Sequence, residues 1–96
     1  MVYSGLPSLR VGPNPLSQPV AYMTFGLERE EKVRLRVFDV QGRCMRELLN
    51  DVLPAGRHRI PWDGLSDNGH PVGSGIYFMQ LKQGEKRTVR KLSVVR

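Results

Sequence analysis

Apolar and polar residues alternate along most of this chain with a period of two, the signature of strands that bury one face. The clearest case is Val33 to Asp39, VRLRVFD, where Val33, Leu35 and Val37 point one way and Arg34 and Arg36 the other. Val20 to Leu27 gives a second strand, with Ala21, Met23, Phe25 and Leu27 on its apolar side. Arg57 to Trp62 places His58, Ile60 and Trp62 together, opposite Arg59. Ile76 to Lys82 does the same with Tyr77, Met79 and Leu81, and Lys86 to Val95 turns Leu92 and Val94 inward. Cys44 to Leu49 reads as a returning strand, with a short helix over its MRELL run as the alternative. A short edge strand over Ser8 to Val11 makes seven, since Pro7, Pro13 and Pro15 confine that region to a sheet margin.

Turn chemistry divides these strands. Glu28 to Lys32 is a charged tip, Asp39 to Arg43 a hairpin with Gly42 at positive φ, and Asn50 to Gly56 a loop ending in Pro54-Ala55-Gly56. Gln83-Gly84-Glu85 is another hairpin turn, with Gly84 as its left-handed residue. Within residues 1 to 19, the proline-rich segment with the turn Gly12-Pro13-Asn14-Pro15 is expected to lie along the domain without entering it. The richest loop runs Asp63 to Ser74, where Asp63, Gly64, Asp67, Asn68, Gly69 and, at its end, Gly75 predict Asx turns and left-handed geometry. Turn signals about every ten residues, between strands with one polar face, predict an all-β antiparallel sandwich of about seven strands. Its expected core includes Trp62, Tyr77, Leu35, Val37, Phe25 and Leu92.

Length and charge narrow this further. Ninety-six residues make one domain with one core, over 1–96. The formal charge is +6, but the arginines alternate with apolar residues as on a solvated sheet face, so no nucleic-acid partner is expected. A single cysteine, Cys44, excludes an intrachain disulfide framework. No apolar run is long enough to span a membrane as a helix, and the first residues lack the layout of a signal peptide.

Candidate chemistry is sparse. Asp63, Asp67 and Asn68 offer hard oxygen ligands in one loop, a weak calcium pattern that turn-capping explains as well. Cys44, His58 and His70 are scattered, with neither zinc-ligand spacing nor a nucleophile–base signature. No catalytic residue and no cofactor are therefore assigned. Phe38 and Phe78 fall on the polar sides of their strands, where they make a small apolar patch that a protein partner could use.

Taken in order, several pieces form a family pattern. They are Pro13-Asn14-Pro15, Val33 to Asp39 with Gly42-Arg43, Leu53 to His58, Trp62-Asp63-Gly64 with Asp67 and Gly69, Val72 to Tyr77, and Arg90-Lys91-Leu92. Over about residues 11 to 96 the chain resembles the immunoglobulin-like repeat of the flagellar hook-capping protein. That repeat overlaps the C-terminal sorting domain (type A) of type nine secretion substrates. The resemblance implies an immunoglobulin-like or fibronectin-III-like sandwich forming the C-terminal module of a larger bacterial protein, secreted or held at the cell surface. It implies secretion machinery or another protein as partner, besides the remainder of the parent polypeptide. The role it implies is sorting or surface attachment, with a hook-cap-like assembly domain or a carbohydrate-binding or adhesion module as alternatives. Leu16-Ser17-Gln18-Pro19, Cys44 and Pro61 depart from the usual pattern.

Overall fold

The computed structural model describes residues 9–17 and 19–96. Seven strands form two antiparallel sheets: β1 (Arg10–Gly12), β2 (Ala21–Leu27), β3 (Glu31–Phe38), β4 (Cys44–Leu53), β5 (Gly56–Trp62), β6 (Gly75–Gln83) and β7 (Lys86–Val94). One sheet has the order β1-β2-β5 and the other β4-β3-β6-β7. The fourth strand pairs with the third, so three strands face four in the fibronectin-III-like variant of the immunoglobulin sandwich. Among the described residues no helix is long and apolar enough to cross a membrane.

The alternating residues meet between the sheets. Ala21, Met23, Phe25 and Leu27 of β2 and Trp62 of β5 are buried in one cluster with Val33, Leu35 and Val37 of β3. Tyr77, Met79 and Leu81 of β6 and Leu92 and Val94 of β7 complete it from the larger sheet. Each fully buried side chain of this size contributes about 1.5–3 kcal/mol relative to exposure. β5 pairs only with β2, so Pro61 lies on an edge strand where its missing N–H is tolerated.

Several boundaries differ from expectation. β4 continues to Leu53 where a loop from Asn50 was expected, because Asn50, Asp51 and Val52 stay paired with Arg34, Val33 and Lys32. Extra residues at Met45 and Leu48 bulge this edge strand and shift its register twice. The MRELL run is strand, not helix. β3 begins at Glu31, so the charged tip is shorter than Glu28 to Lys32. The first strand is Arg10–Gly12, while Ser8 of the expected edge strand lies outside the described residues. Gly84-Glu85 forms a two-residue hairpin turn with positive φ at Gly84 alone, the pattern of a type II′ turn.

The largest correction concerns the proline-rich segment. It does not simply run alongside the domain, because Leu16 is only 3% exposed and belongs to the core. Leu16 forms a parallel bridge to Val94: its N–H donates to the Ser93 carbonyl at 2.7 Å and its carbonyl accepts the Val95 N–H at 2.8 Å. Leu9 and Val72, both outside regular strands, are buried as well.

Candidate functional site

The Asp63-to-Ser74 loop is a hub of hydrogen bonds centred on carbonyl oxygens. Trp62 is fully buried, with its ring edge-on to Tyr77 at 6.3 Å, and its indole Nε1 donates to the Leu65 carbonyl at 2.9 Å. The Leu65 N–H donates back to Asp63 Oδ1 at 3.1 Å, closing an Asx turn. The Val72 N–H donates to the Gly64 carbonyl at 2.9 Å, and Leu65 bridges Pro71. Gly69 turns the tip at φ 83°, its N–H bonded to the Ser66 carbonyl, and the Ser66 hydroxyl donates to Asn68 Oδ1. The Tyr77 hydroxyl donates to the Gly73 carbonyl at 2.8 Å.

Two arginines that the sequence pattern does not single out lock this loop from opposite sides. Arg46 of β4 donates through Nη1 to Asp63 Oδ1 at 3.2 Å and to the Leu65 carbonyl at 3.1 Å, and its Nε stands 3.8 Å from Asp67 Oδ1. Arg96 donates from Nη2 to the Gly64 carbonyl at 3.0 Å and from Nε to the Val72 carbonyl at 2.8 Å. Its backbone N–H donates to Ser74 Oγ at 2.8 Å. Gly64 has φ 78°, and a Cβ there would stand 2.6 Å from Arg96 Nη2, so the glycine serves both the turn and the close approach.

Asp63, Asp67 and Asn68, the weak calcium pattern of the sequence, are engaged within the protein. The cation between Asp63 and Asp67 is the Arg46 guanidinium, and Asn68 Oδ1 is taken by Ser66. Asp67 is further committed to β4: its N–H donates to the Met45 carbonyl and its Oδ1 accepts the Glu47 N–H. Among the described residues no three Asp, Glu, His or Cys side chains gather as a metal set. The donor set is taken up in a turn locked by arginine.

An Asx residue meets each outer edge of the four-stranded sheet at one point. Asp67 does this on β4. Asn14 does it on β7: its Nδ2 donates to the Lys91 carbonyl and its Oδ1 accepts the Ser93 N–H, both at 3.1 Å. An edge strand presents unpaired backbone groups, so these side chains substitute for a neighbouring strand. An asparagine flanked by two prolines, with no strand pattern of its own, is the sequence signal for this contact.

The other candidates are placed as follows. Phe38 and Phe78 are half-buried cross-strand partners on the outer face of the larger sheet. With Asp39, Val40, Gly42, Gln80 and Val89 they line a depression of about 330 Å³. The Arg36 guanidinium stands 5.0 Å from the Phe38 ring centroid and donates to Gln80 Oε1. His58 packs on Phe25 at 5.6 Å, and its Nε2 donates to the Pro54 carbonyl at 2.8 Å. Cys44 is exposed at the opposite end of β4 from that contact and bonds weakly to the Arg46 carbonyl. These groups lie apart from one another and from the Asp63-to-Ser74 loop, whose hydrogen bonds make it a structural hub.

Fold and loop together define an immunoglobulin-like module. The chain belongs to the FlgD Ig-like domain family, whose model matches residues 17–86. Among solved structures it is similar to dimeric latent PorU from Porphyromonas gingivalis, with a TM-score of 0.75 and 21% identity over 91% of this chain and 9% of that one. It is also similar to PorZ of the same organism, described as an essential bacterial surface component of the type-IX secretion system. That match has a TM-score of 0.63 and 19% identity over 92% of this chain and 11% of PorZ. The chain thus spans about a tenth of the length of either protein. No curated protein matches it.

Proposed function

We propose that this chain is a non-catalytic C-terminal module that sorts or attaches a larger bacterial protein through a type IX secretion machinery. The observation that carries the reading is the fit of nearly the whole chain to a small part of PorU, a much larger protein. The similarity to PorZ, named as a component of that secretion system, supports the same setting. On this reading the module's partners are the secretion machinery and the rest of its own polypeptide, and its place is the cell surface or the medium. The hydrogen-bonded loop and the side-chain contacts at the sheet edges serve that role by holding the sandwich together beside a large cargo.

A periplasm-targeted reporter fused ahead of residues 1–96 tests this in a bacterium that has the secretion system. The matching stretch of PorU, fused in the same way, is the positive control. The reporter is expected at the surface or in the medium, and in the periplasm once residues 85–96 are deleted. Equal export of the intact and deleted fusions, or retention of the intact one beside an exported control, overturns the reading. A second reading, an assembly domain that packs against protein neighbours, is favoured by the family's relation to FlgD. It predicts retention of the fusion.

A further inference from the structure

The outer face of the four-stranded sheet concentrates positive charge in register. Arg34 lies directly opposite Lys82, and Lys82 directly opposite Arg87, so three cations form one row across β3, β6 and β7. Lys32 and Arg36 flank Arg34 along β3, and Lys91 lies opposite Phe78 on the same face. Lys32, Arg34, Lys82, Arg87 and Lys91 are exposed. Like charges directly opposite one another destabilise a sheet. The relief within the molecule is local: Glu47 pairs with Arg34 at 2.7 Å. Among the described residues no ion pair reaches Lys32, Lys82, Arg87 or Lys91. Lys32, Arg34, Asn50, Lys82 and Gly84 line a depression of about 310 Å³ at the centre of this charge.

We propose that this face docks an extended, carboxylate-rich protein segment, with Lys82 at the centre of the contact. Side chains two residues apart on a strand repeat every ~6.8 Å, so alternate carboxylates of an extended segment match the spacing of Lys32, Arg34 and Arg36. Beside the cations lies the apolar strip of Phe38, Val40, Phe78 and Val89, which suits aliphatic side chains of the same segment. The Arg36 guanidinium stands over the Phe38 ring, which joins the apolar strip to the cations of this face. The binding is a property of the module alone and holds whether or not the module sorts its parent.

Fluorescence anisotropy of the 96-residue chain with a labelled peptide of alternating glutamate and valine measures this docking. Added salt is expected to weaken binding. Lys82→Glu combined with Arg87→Glu is expected to weaken it by about tenfold or more. Arg10→Glu with Arg59→Glu changes the net charge equally on the other sheet and is expected to cost less than about twofold. The thermal midpoint moves the other way: Lys82→Glu places an acid between Arg34 and Arg87 and is expected to raise it. Equal losses from both pairs reduce the effect to net charge and overturn the proposal. Failure of the peptide to bind, tighter binding of heparin or single-stranded DNA, or a lowered midpoint for Lys82→Glu also overturns it.

Discussion

Asn14 Oδ1 accepts the N–H of Ser93 at 3.1 Å, joining residues 79 positions apart at the open edge of β7. Its Nδ2 donates to the Lys91 carbonyl, so one amide satisfies a donor and an acceptor of that strand. Asn14→Ala removes both bonds and is expected to cost about 1–3 kcal/mol, at 0.5–1.5 kcal/mol per net hydrogen bond. Asn14→Asp keeps the acceptor but turns a carboxylate oxygen toward the Lys91 carbonyl, and should cost at least as much at neutral pH. Urea unfolding gives the energies. Sedimentation should show more self-association in both variants, because the freed edge can pair with another chain.

Trp62 combines burial with a bond to the carbonyl of Leu65. Trp62→Ala is expected to cost about 3–5 kcal/mol from lost transfer energy and the cavity left behind. Trp62→Phe keeps an aromatic ring, and Leu65 keeps the donor from Arg46, so its cost should be clearly smaller. A loss below about 1 kcal/mol for the alanine variant would contradict full burial in the core.

Because a guanidinium already stands between Asp63 and Asp67, added calcium should leave the melting temperature unchanged. Arg46→Ala is expected to destabilise by about 1 kcal/mol, since both carboxylates are substantially exposed. Arg46→Lys should recover little of this, because a single ammonium cannot reproduce a fork that reaches Asp63, Leu65 and Asp67 together. A calcium-dependent rise in melting temperature for the unmodified protein would refute this account of the loop.

Alternation and the spacing of turn signals together make the sandwich legible in the sequence. Val33, Leu35 and Val37 lie inside with the β3 arginines outside, as the period of two requires. Glycine and Asx residues likewise mark the loop after Trp62. What escapes the sequence is long-range and carried by side chains. Leu16 and Val72 are single apolar residues in irregular segments, where no period exists to reveal their burial. Arg46 and Arg96 resemble ordinary surface arginines until the fold brings the carbonyls of Gly64, Leu65 and Val72 to them. The extent of β4 is also hidden, because Asn50 and Asp51 are poor strand formers held in place by β3.

Acid should weaken the fold through two carboxylates. Backbone and side-chain hydrogen bonds from Arg43, with help from the Gln41 N–H, hold Asp39 below its ordinary value of 3.8. A side-chain hydrogen bond from Arg34 holds Glu47 below 4.5. A carboxyl whose folded pKa is depressed adds stability that is present above its unfolded pKa and is lost as pH falls through the folded one. Unfolding free energy should therefore stay level from neutral pH to about pH 5 and decline below about pH 4. The double variant Asp39→Asn with Glu47→Gln should show a shallower acid limb. An acid limb identical to that of the parent would exclude these two groups as its source.

Gly64 and Gly69 have nearly the same positive φ, 78° and 83°, yet their surroundings differ. A Cβ at Gly69 meets nothing within 4 Å, whereas one at Gly64 stands 2.6 Å from Arg96 Nη2. Gly69→Ala should therefore cost only the left-handed backbone penalty, about 1–2 kcal/mol. Gly64→Ala adds displacement of Arg96 from the Gly64 and Val72 carbonyls, and with both hydrogen bonds lost the total should approach ~3–4 kcal/mol. Arg96→Ala alone removes those two bonds but leaves the turn unstrained. In the double variant the second change has little left to remove, so its cost should fall short of the sum of the singles by roughly 1 kcal/mol or more. Additive costs would mean that Gly64 matters for its backbone angle alone and that Arg96 can leave the loop freely.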